Sequence, residues 1–357
     1  MFSLAANKIL DQTWQGTLSD YITVVAWSTD GKTLAASDAA GEIILLKDRE
    51  NLVYLQTAND QSVDCLAFSA DGQYLAAGGQ NGEVKIWRLE AEETQLITTL
   101  ENAPNWVDKL AWHPQTNQLA FSMGKYVQIW DADSQKVEVT LNFESSSVLS
   151  IAWRPNGENL AISGQLGVKI WDAKNWNDDP RNLEIPVASL TLAWSGDSKF
   201  IASANLDNTL AVWQWDIPEP WLMRGFPGKI RALSWSDLLT SIGAPRLAVA
   251  TAQSVVVWEK AADESIGWQG KLLDSHDGIV QAIAFQPQTF LLASAAEDGL
   301  IGIWEKAKEI VQILDGANEG FSCLAWQPQG NKLAAGGSNG EIFIWSKVSR
   351  GKGFASR

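Results

Sequence analysis

The residue types that most often carry catalysis or bind metals are scarce in this chain. Its 357 residues include two histidines, His113 and His276, and two cysteines, Cys65 and Cys323. Triad or metal chemistry needs imidazoles and partners that converge, and two histidines leave little to build it from. The run Gly336-Gly337-Ser338-Asn339-Gly340 matches the G-x-S-x-G pattern of a nucleophile elbow. That pattern has meaning only where a strand turns into a helix. Neither this run nor Gly78-Gly79-Gln80-Asn81-Gly82 is followed by the Lys-Ser/Thr pair of a phosphate loop. What these residues can do therefore depends on the elements that carry them.

Those elements repeat. An aromatic residue after alanine or serine recurs at Trp27, Phe68, Trp112, Trp153, Trp194, Trp235, Phe285 and Trp326, in steps of 41, 44, 41, 41, 41, 50 and 41. A fixed period in the forties, built of short apolar stretches and turns, signals radial repetition of a small sheet. In the second repeat, Val63, Leu66 and Phe68 give a first strand, and Ser69-Ala70-Asp71-Gly72 a turn. Tyr74 to Gly78 gives a second strand of mostly small residues, suited to a place where sheets crowd together. Asn81-Gly82 marks a hairpin, Glu83 to Trp87 alternates polar and apolar as a third strand, and Leu96 to Leu100 supplies a fourth. Four antiparallel strands per repeat make one blade of a β-propeller. The G-x-S-x-G run falls in the same hairpin slot as Gly78 to Gly82, which is no place for a nucleophile elbow.

Eight anchors predict an all-β fold of eight four-stranded blades. Ile9 to Leu18 stands where the missing fourth strand of the last blade must come from, and pairing there closes the ring and removes two open edges. Repeat 1 has Leu46 where the other repeats carry a third-strand tryptophan, and failure of that blade would leave seven. One domain over residues 1–347 is expected, followed by a flexible basic tail at 348–357.

The repeats resemble WD repeats over roughly residues 20–347, with the family's dipeptide intact at Trp130-Asp131 and Trp171-Asp172. The resemblance implies a hydrogen-bonded tetrad of His, Ser, Asp and Trp, complete only in repeat 7 as His276, Ser294, Asp298 and Trp304. Repeat 5 keeps Ser203, Asp207 and Trp213 without the histidine. The resemblance also implies partner binding on the face where the first strands begin, around the central channel. Two slots there vary in chemistry from repeat to repeat, and they supply Tyr21, Asp64, Trp106, Asp108, Lys229, Arg231 and Gln281 as candidate contacts. Tyr, Trp and Arg are the types that anchor interfaces. Asp64 and Asp108 lie on one arc, with Lys229 and Arg231 opposite.

His113 occupies the first hairpin turn, where other copies carry Ser69, Arg154 or Gln327, and reads as an exposed turn residue. Repeat 6 carries five extra residues in that hairpin, among them the apolar Leu238, Leu239 and Ile242, which offer a second contact site or a loop folded onto its own blade. Trp215 to Trp221, with two prolines, reads as the outer strand of repeat 5.

Lys and Arg number 27 against 42 Asp and Glu, a net charge of −15 that repels phosphate backbones and argues against nucleic acid or anionic membrane as main partner. The N-terminus shows no charged leader before a long apolar core, and no apolar stretch of 18 residues occurs. Cys65 and Cys323 share one slot in repeats 2 and 8, with repeat 1 between them, so they are expected as buried reduced thiols. The sequence thus points to a cytosolic, non-enzymatic scaffold without cofactor or metal, monomeric unless in a complex, that binds proteins. The alternative is a metabolite-binding propeller, or an enzyme, using Asp64, Asp108 and Arg231 at the channel mouth.

Overall fold

The computed structural model describes residues 8–47, 51–90, 93–144 and 146–348. Eight four-stranded antiparallel sheets follow one another around a ring, and no helix occurs among the described residues. Seven blades are built from consecutive strands. The eighth takes Phe321–Trp326, Lys332–Gly337 and Glu341–Lys347 from the end of the chain and Leu10–Thr17 from its beginning. That outer strand runs antiparallel from Leu10 opposite Lys347 to Thr17 opposite Glu341. Gln312 of blade 7 holds it in place. Its side-chain oxygen accepts the N–H groups of Ile9 and Leu10 at 2.9 Å each, and its Nε2 donates to the Leu10 carbonyl at 2.7 Å. The tail residues Arg350, Lys352 and Arg357 lie outside the described residues.

Blade 1 is complete despite its degenerate third strand. Leu46 is buried beside Trp14 and Trp27, and Ile43–Lys47 pairs with Thr33–Asp38 on one side and Asn51–Gln56 on the other. Leucine can fill this slot because it is bounded by apolar neighbours and needs volume more than a polar handle. The ring therefore has eight blades and not seven.

The core is divided into eight apolar layers, each shared between neighbouring blades rather than gathered at one centre. This is why the second strands are rich in alanine and glycine. A Cβ at Gly78 would lie 2.7 Å from the side chain of Val107 on the next blade. The anchor tryptophans tie the layers together. Each donates its indole N–H to the carbonyl of the alanine that precedes the anchor one blade earlier: Trp27 to Ala325 at 3.2 Å, Trp112 to Ala67 at 2.9 Å, Trp153 to Ala111 at 3.1 Å, Trp194 to Ala152 at 3.2 Å, Trp235 to Ala193 at 3.0 Å and Trp326 to Ala284 at 3.0 Å. At the other two junctions the anchor is Phe68 or Phe285, which has no N–H to give.

The position after the anchor forms a second set of links, and here the expectation for His113 is corrected. His113 is buried, with Nε2 on the Gly157 carbonyl of the next blade at 2.9 Å. Gln286, Gln327 and Arg154 stand in the same position and reach Gly330, Gly31 and Ser198 carbonyls at 2.7, 2.6 and 3.0 Å. Ser28, Ser69 and Ser195 are too short to cross, and each donates instead to an aspartate two residues on, within its own turn. Long polar side chains in this slot join blades, whereas serines close turns.

Two further expectations change. The outer strand of blade 5 is only Trp221–Met223, and Trp215 is not part of it. Trp215 instead packs on Trp194, with the guanidinium of Arg154 4.0 Å from its ring centre and that of Arg181 at 4.9 Å. The insertion in blade 6 is not folded down as a loop. Its strands continue outward, with Leu239 paired to Pro245, and Leu238, Leu239 and Ile242 remain exposed.

Candidate functional site

Because each first strand starts at one face and the chain alternates direction, the entries to first strands and the turns between second and third strands share that face. The first strands are joined there by polar side chains that serve the fold. Thr23 Oγ1 donates to the Val63 carbonyl at 2.5 Å, and Ser322 Oγ to that of Ile22 at 2.6 Å. Cys65 Sγ makes the corresponding contact with the Val107 carbonyl at 3.2 Å. Burial pushes the Cys65 thiol well above its ordinary value and that of Cys323 up to about 11, and both cysteines are free thiols.

In the slots that vary, Asp64 accepts from Ser62 Oγ at 2.6 Å. Burial raises its pKa above the usual carboxylate range, opposed by that hydrogen bond and reinforced by the charge of Asp108 on the neighbouring blade. Asp108 is held by Ser122 Oγ at 3.1 Å and by the Lys109 ammonium at 3.0 Å. Gln281 is occupied with Glu297. Lys229 and Arg231 are exposed on blade 6, four blades from Asp64, and neither has a hydrogen-bond or carboxylate partner among the described residues. Tyr21 stands at the entry to the first strand of blade 1. Burial raises its phenol pKa, while a hydrogen bond to Ser322 and the Arg231 charge act the other way. Trp106 stands free at 59% exposure.

The structure adds two residues that the reading of strand entries missed. Leu166 and Leu206, in the turns between second and third strands of blades 4 and 5, are 59% and 61% exposed. Leu166 also sits at φ 68°, a left-handed conformation that costs a side-chain-bearing residue energy. The available signal was a leucine in a turn where the best copies read Asn-Gly. Leu206, Leu166 and Trp106 are the three most exposed large apolar residues described, and all three belong to this face.

The tetrad of blade 7 lies beneath the same face. Trp304 donates its indole N–H to Ser294 Oγ at 2.9 Å, Ser294 meets His276 Nε2 at 2.8 Å, and His276 Nδ1 meets Asp298 Oδ2 at 3.1 Å. An indole only donates and a carboxylate only accepts, so a neutral imidazole here carries its proton on Nδ1 and takes one from Ser294 at Nε2. In blade 5 the remnant is wired differently, as Ser203 donates to Asn205 at 2.8 Å and shares a hydrogen bond with Ser189. Ser338 of the G-x-S-x-G run lies in a hairpin turn between two strands. No group of three or more His, Cys, Asp or Glu side chains among the described residues is arranged to hold a metal ion.

Comparison with known proteins gives the same picture of the repeats. The WD domain, G-beta repeat family matches residues 51–88, 135–172, 186–214, 267–305 and 308–346, just over half of the chain. The chain is 31% identical over 118 residues to a ribosome biogenesis protein WDR12 homolog of Nematostella vectensis, covering 32% of this chain and 28% of that protein. It is 23% identical over 135 residues to the human U3 small nucleolar RNA-associated protein 4 homolog, covering 38% and 20%. It is 27% identical over 290 residues to the nuclear distribution protein nudF of Emericella nidulans, covering 75% and 65%. Against the first two relatives the chain thus spans under a third of their length. Its period, its blades and the matched repeats together establish that the chain belongs to the WD domain, G-beta repeat family.

Proposed function

We propose that this propeller is a non-enzymatic scaffold that holds partner proteins on the face where its first strands begin. The observation that carries the reading is the exposure of Trp106, Leu166 and Leu206 on that face, on the successive blades 3, 4 and 5, with Tyr21 39% exposed on blade 1. Exposed apolar anchors rimmed by charge are how protein interfaces are built. The charge is divided, with Asp64 and Asp108 on one arc and Lys229 and Arg231 on the other, which favours a partner that presents both signs. Asp64 and Asp108 are engaged by Ser62, Ser122 and Lys109 within their own blades, and this weighs against the metabolite-binding or enzymatic alternative. The names of relatives, in ribosome biogenesis and nuclear distribution, support a role in assemblies. The net charge of −15 argues for protein rather than nucleic-acid or anionic membrane contacts, and two free thiols, one buried and one half-buried, suit the cytosol.

The test is affinity purification of the chain from its source, with partners identified by mass spectrometry, beside a Trp106→Ala/Arg231→Ala variant. Neither residue belongs to the repeated core, so the variant keeps its fold, and partner binding weakens by about 2 kcal/mol or more. Retention of every partner at full affinity by the double variant sinks the reading.

A further inference from the structure

The longest step in the period, 50 residues between Trp235 and Phe285, has a structural product on the opposite face. The lengthened hairpin of blade 6 ends in a turn closed by Thr240 and Ala244, with a 2.9 Å hydrogen bond from the Thr240 N–H to the Ala244 carbonyl. It presents Leu238, Leu239 and Ile242 at 40%, 39% and 40% exposure. The turn between the third and fourth strands of the same blade comes to the same end and presents Ile266 at 52%. Between hairpin, turn and the neighbouring Ala307-Lys308 turn of blade 7 runs a groove of about 540 Å³. Ile242 and Ile266 line this groove, with Leu238 and Leu239 exposed on the adjoining hairpin, and such an apolar surface is costly in water unless something covers it.

The charges of the groove indicate what covers it. Arg246 is consumed by Glu259 at 2.8 Å and by the Lys306 carbonyl at 2.7 Å, and Lys260 by Glu264 at 2.6 Å. Asp263 is bound by Ser265 of its own turn at 2.9 and 2.7 Å. Lys271 and Lys308 are left over. Lys271 Nζ reaches the Lys308 carbonyl at 3.2 Å, and no carboxylate pairs with either ammonium among the described residues. Outside its ion pairs the groove keeps two lysines against the one carboxylate of Asp263, a positive excess that is an exception in a chain of net charge −15. The adjoining wall is the outer strand Trp268–Asp274, whose free edge and exposed Leu272 can take an extended backbone alongside.

We propose that this groove docks a short extended segment of a partner protein, one that combines acidic with apolar side chains. The site is separate from the channel face, so the scaffold would hold two segments at once on opposite sides. The experiment uses a phage-displayed library of random dodecapeptides selected on the full chain. Each enriched peptide is then measured against Leu238→Ser/Leu239→Ser/Ile242→Ser, Lys271→Glu/Lys308→Glu, and Trp106→Ala/Arg231→Ala variants that share the wild-type melting transition. The expected result is a class of peptides rich in Asp or Glu with Leu, Ile, Phe or Trp. These bind the serine and charge-reversed variants at least tenfold more weakly and the channel-face variant unchanged. The proposal is overturned if no enriched peptide is sensitive to the serine and glutamate substitutions, or if the sensitive ones are not acidic.

Discussion

His113 and Gly157 lie 44 residues apart in sequence and in adjacent blades, and the imidazole Nε2 donates to the glycine carbonyl at 2.9 Å. The donor assignment follows from the other nitrogen, because Nδ1 accepts the backbone N–H groups of Gln115 and Thr116 at 3.1 and 3.0 Å and so carries no proton. One ring thus fixes its own turn and joins it to the next blade. His113→Ala strips partners from three backbone groups, with an expected loss on the order of 1–3 kcal/mol in chemical denaturation. His113→Gln recovers much of it, because Gln286 and Gln327 make the same reach in blades 7 and 8.

The same site gives a pH dependence. Burial lowers the His113 pKa below its usual 6.5, outweighing the hydrogen bond to Gly157. The unfolded chain therefore binds a proton before the folded one does. The contribution is complete above about pH 6.5 and is lost as the pH falls through the interval below it. Stability measured from pH 7.5 down to 5 should decline less steeply in His113→Gln than in wild type. Equal slopes would remove His113 from the titration.

Asp298 accepts from His276 and from the backbone N–H groups of Asp277 and Leu300, at 3.1, 2.9 and 3.0 Å. Asp298→Ala should destabilise the protein by about 1–3 kcal/mol through those orphaned donors. A melting transition indistinguishable from wild type would show that the tetrad contributes no net stability.

Ring closure rests on Leu10–Thr17, which no other strand replaces. Deletion of residues 1–18 exposes the edge of Glu341–Lys347 and the layer around Leu10, with loss of cooperative unfolding or aggregation as the expected outcome. Scanning calorimetry on the truncated chain checks this, and an unchanged transition contradicts it.

Burial holds the Cys323 thiol up at about 11, so at pH 7 it is protonated and a poor nucleophile. Cys65 is shifted further in the same direction by burial. Iodoacetamide at neutral pH should label neither cysteine in the native protein and both after denaturation, as read by intact mass.

The number and order of the blades were legible because a repeated unit writes its requirements many times over. Anchor, turn and Ala-Gly strand recur in the same order, and chance does not keep such spacing. Closure by Ile9 to Leu18 could be seen for the same reason, as the strand lacking from the last copy. The tetrad of blade 7 was visible as residue types in their slots, whereas its bonds, and the different wiring around Ser203, appear only in space. His113 shows where linear reading fails. Its slot looked like turn surface because serine fills it in several copies, yet histidine, glutamine and arginine are long enough to cross to the next blade. Burial in a ring is set by the neighbouring repeat, which one copy of the period does not contain. Leu166, Leu206 and the groove at Ile242 and Ile266 were decided in the same way. Exposure depends on what the next blade fails to cover, and only the tertiary structure brings turns from distant parts of the chain onto one face.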